Sequence, residues 1–170
     1  MITVTSAVAN KLLKQYNEQL TKLYQDESAC ALYTEIEGVE PIVPEYNFGA
    51  VRAKVETLTE KIMTIKHSIN EFNVKTKLSK SGMTIDKALV FMSILTKEKA
   101  RLEGMIVPVK KKLKSGFGVR NNQIEYDVIN YDVDEVRKNY DNICKRLTDL
   151  QVELDVVNST ETFKIPIEED

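Results

Sequence analysis

Tryptophan is absent from this chain, histidine occurs once, cysteine twice, and 170 residues hold only four prolines and six glycines. Each scarcity excludes something. The lone His67 stands beside the polar face of an amphipathic pattern, and of positions 63, 64, 70 and 71 only Glu71 offers a further ligand. A histidine-centred metal site therefore lacks its donors, and a surface or boundary histidine is the plainer reading. Cys30 and Cys144 are far apart and form no C-x-x-C, which points to reduced thiols and a cytoplasmic setting. Cys144 adjoins Ile143 inside a helical pattern, where a thiol acts as a small hydrophobe; a nucleophilic pairing with His67 would have to be assembled by the fold. Few breakers favour long helices over many turns. Without tryptophan, any aromatic anchor is Tyr or Phe.

Long apolar runs are missing too. Residues 88–96 are uncharged but far shorter than a membrane span. Residues 1–10 carry no positive charge and no apolar core with a small-residue cleavage pattern, so no secretory signal is expected, nor does any lipidation motif stand out. There is no G-x-S-x-G, no P-loop and no dinucleotide fingerprint. Carboxylate pairs at helical spacing fall on lysine-rich helices and read as solvated faces. No catalytic residue, metal ligand or cofactor is implied.

What is present is a folded composition, 42% hydrophobic and 29% charged, with a net charge of -2. That charge exerts no general pull toward nucleic acid or anionic membrane, and neither is expected as a partner. Helical periodicity is the strongest signal. Val133, Val136, Tyr140, Ile143, Leu147, Leu150, Leu154 and Val157 form an unbroken a/d stripe, with Asp132 as N-cap and Glu135 in capping-box position. The spacing predicts a helix over 133–157. A second stripe, from Val51 through Val55, Leu58, Ile62, Ile65 and Ile69 to Phe72, predicts a helix over 48–73 capped by Asn47. A first helix starts near Thr3 or Thr5 and ends somewhere between Gln25 and Glu37. A third begins after Thr84, and its stripe continues through Ile106 and Val109 to Leu113. Pro108 interrupts it, and a kink with continuation to Leu113 is preferred over a stop near Met105. Residues 74–78, 123–129 and 162–165 have strand character.

Shifting the chain by 85 positions lays the second helix on the fourth, stripe on stripe. Tyr46-Asn47 then falls on Tyr131-Asp132, and Asn73 on Asn158. A shift of 81 lays Thr3 on Thr84. The expectation is a mainly α protein, one domain over 1–170. Duplicated long antiparallel helix hairpins, 1–80 and 81–166, form a four-helix, coiled-coil-like bundle with short β segments at its ends. In that arrangement one end gathers Asn73, Thr76, Thr84, Asn158, Ser159 and Thr160. Caps for helix termini explain these residues more simply than a ligand does.

One segment stands out. Residues 110–122 carry Lys110, Lys111, Lys112, Lys114 and Arg120 with no acid, and Gly116, Phe117 and Gly118 lie between. Free backbone amides, five cations and a stacking ring make a candidate site for a small anionic ligand such as a nucleotide. A solvated hairpin loop explains the same residues. So does an acidic surface within the assembly, since residues 26–45 hold six carboxylates and no Lys or Arg.

The motifs Ile69-Asn70-x-x-Asn73-x-x-Thr76, Met83-Thr84-Ile85-Asp86-x-Ala88-Leu89, Ile124-Glu125-Tyr126 with Asn130-Tyr131-Asp132, and Val157-Asn158-Ser159-Thr160-x-Thr162-Phe163 span nearly the whole chain. In these the sequence resembles a group of small helical bacterial proteins, some of which carry the automatic label septicolysin. The resemblance implies a bacterial, coiled-coil-like protein that self-associates, and it supplies no catalytic residues. The cytolysin label itself finds no support in a chain with no secretion signal or Trp-rich inserting segment. The leading expectation is a non-enzymatic, homo-oligomeric binding or scaffolding protein. A binder of small anions through the basic loop, and an enzyme whose site forms between subunits, are the competing classes.

Overall fold

The computed structural model describes residues 1–113 and 125–168. In chain order they form β1 (Ile2–Thr5), α1 (Ser6–Cys30), α2 (Phe48–Lys75), α3 (Ile85–Met105), β2 (Lys111–Leu113), β3 (Tyr126–Val128), α4 (Val133–Thr160) and β4 (Thr162–Ile165). The protein is mainly helical with short antiparallel strands. It divides into two compact units, Met1–Asp86 with Leu154–Asp170, and Lys87–Glu153.

In the first unit, α1 begins where a cap permits. Thr5 is extended, and its hydroxyl accepts from the Val8 amide at 3.3 Å. Asn47 caps α2 by accepting from the Ala50 amide at 3.0 Å. The helices α1 and α2 run antiparallel, and their apolar stripes meet. Ala9 and Tyr16 join Ile62, Ile65 and Ile69 in one buried cluster, with Ile165 and Ile167 closing it. β1 pairs antiparallel with β4, Ile2 opposite Ile165 and Val4 opposite Phe163. Alternation along these strands then turns Ile2, Val4 and Phe163 onto the cluster. Phe163 stacks on Phe72, ring centroids 4.5 Å apart, and so fixes the end of α2 against β4.

Two expectations about strands need correction. The expected strand over 74–78 does not form: Val74 and Lys75 are the end of α2, and of the other three residues only Lys77 makes an isolated bridge, to Thr84. Of 123–129, strand β3 occupies Tyr126–Val128, while residues 123 and 124 lie outside the described residues.

In the second unit, α3 and α4 are antiparallel. Arg146 lies 4.9 Å from the Phe91 ring, Lys99 lies 5.7 Å from the Tyr140 ring, and the Tyr131 hydroxyl donates to the Met105 carbonyl at 2.8 Å. Lys99, the one charge on the α3 stripe, is half-buried and keeps its ammonium over an aromatic face. The preferred kink at Pro108 does not occur. α3 stops at Met105, and the chain continues as β2. Pro108 has no N–H to donate and disfavours helical backbone at Val107, so the helix closes one turn earlier. Leu113, which fits the helical stripe by spacing, instead pairs with Tyr126 across the β2–β3 ladder. The helix α4 starts at Val133, where Asp132 accepts from the Asp134 amide at 2.9 Å. Both α2 and α4 have 28 residues, and they start and stop 85 positions apart.

Candidate functional site

The basic segment begins on β2. Lys110, Lys111 and Lys112 are all exposed. Register sets Lys111 opposite Val128, Lys112 opposite Asp127 and Leu113 opposite Tyr126. Paired residues point to the same side of a ladder, so Lys111 shares a face with Val128, Leu113 and Tyr126. Its ammonium sits 4.0 Å from the Tyr126 ring centroid. On the opposite face Lys112 has the Asp127 carboxylate as its cross-strand neighbour. A cavity of about 690 Å³ adjoins the hairpin, and most of its lining is apolar, Val107, Pro108, Val109, Leu113 and Val128 among it. The remaining residues of this candidate site, Lys114, Gly116, Phe117, Gly118 and Arg120, lie outside the described residues.

Of the polar residues expected at one end, all six fall in the first unit. Thr76 is the C-cap of α2; its amide donates to Phe72 and its carbonyl accepts from Ile85. Thr84 bridges Lys77. Ser159 donates to the Asp155 carbonyl at 2.7 Å, and Thr160 to the Val156 carbonyl at 2.8 Å. Asn73 and Asn158 are half-buried. The Ser159 and Thr160 hydroxyls bond to carbonyls of their own helix, and the Thr76 backbone closes α2.

The segment between α1 and α2, residues 31–47, differs from both. Leu32 is 84% exposed and Ile42 is 92% exposed, and Ile36, Val39, Val43 and Phe48 are exposed with them. Glu35, Glu37, Glu40 and Glu45 are interspersed and exposed. The segment is tied at its far end, where the Tyr46 hydroxyl donates to Glu27 at 2.7 Å. That hydrogen bond, with some burial and the Glu27 charge, holds the Tyr46 phenol above its ordinary pKa. Beside the segment, α1 and α2 leave an open groove of about 530 Å³ with Leu23, Ala53 and Leu58 in its lining and Lys22, Lys54 and Lys61 around it.

His67 is exposed in the first unit; Cys144 is half-buried in the second. Burial pushes the Tyr140 phenol up, aided by a hydrogen bond to Cys144 and by Glu103, while Lys99 opposes. Among the described residues no group of three His, Cys, Asp or Glu is placed to hold a metal ion, and no helix is long and apolar enough to cross a membrane.

The fold has a known counterpart. A crystal structure of a functionally unknown conserved protein from Corynebacterium diphtheriae matches with a TM-score of 0.64 at 21% identity, over 96% of this chain and 100% of that one. At such identity the likeness is one of fold alone. No family model and no curated protein matches the chain.

Several of these features escape a reading by sequence. The groove lysines come from α1 and α2, more than thirty positions apart for Lys22 and Lys54, and no spacing rule joins them. Tyr140 is legible as a stripe residue, but its hydrogen bond to Cys144 and its stacking under Lys99 depend on α3 lying alongside. The two tyrosines before α2 and α4 are visible as a repeated Tyr-Asn/Asp pair. What they do is visible only in three dimensions, for each reaches back to the end of the preceding helix.

Proposed function

We propose that this protein is a non-enzymatic, self-associating helical scaffold or binding protein of the bacterial cytoplasm. Its contact surface is the acidic, apolar segment between α1 and α2. The observation that carries this is the exposure of Leu32, Ile36, Val39, Ile42, Val43 and Phe48 within one short stretch. Scattered apolar residues on a surface need no explanation, but six exposed within seventeen positions call for a partner. Sedimentation velocity on the intact chain at micromolar concentration tests the reading. An oligomer is expected, and a monomer at every concentration would overturn it.

The finer architecture belongs to the same proposal. The chain is two repeats of one helix hairpin, 1–80 and 81–166, in a duplicated, coiled-coil-like arrangement of four helices. Support comes from the equal lengths of α2 and α4, from their caps Asn47 and Asp132, and from Tyr46 and Tyr131, each tied to the helix before it. The resemblance to the septicolysin-labelled group enters only for the self-associating, helical character it implies.

A second reading keeps the basic hairpin as a site for a small anion such as a nucleotide. The exposure of Lys110, Lys111 and Lys112 favours it. Tyr126 under Lys111 counts against it, because that ammonium already lies over an aromatic face; Lys112 has Asp127 as its cross-strand neighbour.

A further inference from the structure

We infer that the groove between α1 and α2 is the seat for the acidic apolar segment of a second copy of this chain. The inference rests on the self-association proposed above and names the surface that receives the segment.

The two halves of the contact are chemically matched. The groove has an apolar floor, Leu23, Ala53 and Leu58, under the rim lysines Lys22 and Lys54. Lys61 stands deeper, its ammonium 5.1 Å from the Tyr16 ring. Asp26 also borders the groove, so the three lysines leave it cationic in sum. The segment has the inverse pattern, apolar side chains set among carboxylates with no Lys or Arg from 26 to 45. A cationic rim around an apolar floor selects an acidic apolar occupant and rejects a basic one.

The geometry of the segment narrows the match to its tip. Gly38 has φ +82, which an L side chain rarely adopts, and it turns the chain so that the Val39 amide donates to the Ile36 carbonyl at 3.0 Å. Ile36 and Val39 are thereby held close together, with Glu37 and Glu40 beside them in sequence. The groove runs from Gln19 to Asp26 along α1, roughly 10 Å at ~1.5 Å rise per residue. A tip of this size fits it: Ile36 and Val39 enter the floor, and Glu37 and Glu40 meet Lys22 and Lys54. Within one chain this contact is not made, since Ile36 and Val39 are exposed and neither lines the groove. A second copy supplies the occupant. Because each copy has one tip and one groove, a two-fold dimer makes the contact twice and closes.

Charge reversal on the full-length protein tests this. Lys22→Glu with Lys54→Glu, and separately Glu37→Lys with Glu40→Lys, should each raise the dissociation constant for self-association by about tenfold or more. Carrying both pairs in one chain should restore it, and added salt should weaken the parent and the restored protein alike. All four positions are exposed, and circular dichroism reports whether each variant keeps its helices. If the lysine pair unfolds the chain, Lys22→Gln with Lys54→Gln replaces it, with weakening expected in the same direction. A parent that stays monomeric defeats the proposed function and this inference together. A parent that self-associates, with both reversals leaving the dissociation constant unchanged, overturns the inference and leaves the proposed function standing. Weakening by each reversal without restoration in the combined variant also overturns it, because direct pairing requires the rescue.

Discussion

Tyr46 and Ile65 show how differently single residues hold this protein. Ile65 is fully buried among Ala9, Tyr16 and Ile62. Ile65→Ala is expected to cost about 2–5 kcal/mol, read as a lower urea midpoint, because the cavity it leaves cannot collapse between two long helices. Tyr46 lies near the surface and acts through one hydrogen bond to Glu27. Its pKa is raised, so the fold favours the protonated phenol. The tie is therefore fully present below the ordinary tyrosine value of 10.0 and is lost as pH rises through the higher folded value. Urea midpoints measured from neutral to strongly alkaline pH should show a fall near the top of that range. In Tyr46→Phe this part of the fall should shrink. A parent and variant with superimposable pH profiles would show that the hydrogen bond contributes nothing. Of these two roles only one is legible in the sequence: Ile65 sits on an a/d stripe, whereas Tyr46 lies in the loop before α2 and its partner lies nineteen positions away on α1.

At the scale of elements, the helices α2 and α4 and the strands β3 and β4 are readable, the last as residues 162–165, while β1 and β2 are not, for a physical reason. A long amphipathic helix carries its own hydrogen bonds and its own period, so α2 and α4 announce themselves from Asn47 and Asp132 onward. A strand of three or four residues borrows its hydrogen bonds from a partner. β1 has its partner at the far end of the chain, and β2 contains three residues whose pattern, Lys-Lys-Leu, favours nothing. The apolar period alone carried the third helix past Pro108 to Leu113; proline chemistry overrode it. A turn between α2 and α3 makes a prediction at this scale. Gly82 has φ +67, and its amide donates to the Leu78 carbonyl at 3.0 Å. Nothing stands within reach of an added Cβ, so the cost of Gly82→Ala is backbone strain alone, about 1–2 kcal/mol. Thermal melting should register it, and a rise in melting temperature would contradict it. Leu78 and Ile85, both nearly fully buried on either side of this turn, would transmit the disturbance to the core of the first unit.

For the molecule as a whole, the question is what covers the exposed apolar segment. Leu32→Ser combined with Ile42→Ser should leave folding stability within about 0.5 kcal/mol, since neither side chain is buried within the chain. The same pair should shift the sedimenting species toward monomer, which separates an interface from a core. The basic hairpin poses the complementary question. Lys110→Gln, Lys111→Gln and Lys112→Gln together should loosen the oligomer or lower the melting temperature if an acidic surface is their partner. They should instead abolish stabilisation by nucleotides, and leave the free protein as stable as before, if the partner is an external anion. The composition of both segments could be read directly from the chain. The groove that accepts the first could not, because it exists only once α1 lies along α2.

The pairing of β1 with β4 also sets a schedule. Ile2 leaves the ribosome well before its partner Ile165, since α1, α2, α3 and α4 all lie between them in the chain. Until then β1 has an open edge, and the cluster of Ile62, Ile65 and Ile69 lacks Ile165 and Ile167. Most of α3 and most of α4 belong to the other unit and need nothing from β1 to begin pairing. The strand β1 and the helices α1 and α2 are thus made before α3 and α4 yet wait for β4 to be completed, and any nascent chain stalled before Thr162 presents a greasy, unfinished edge to the cell's quality-control machinery.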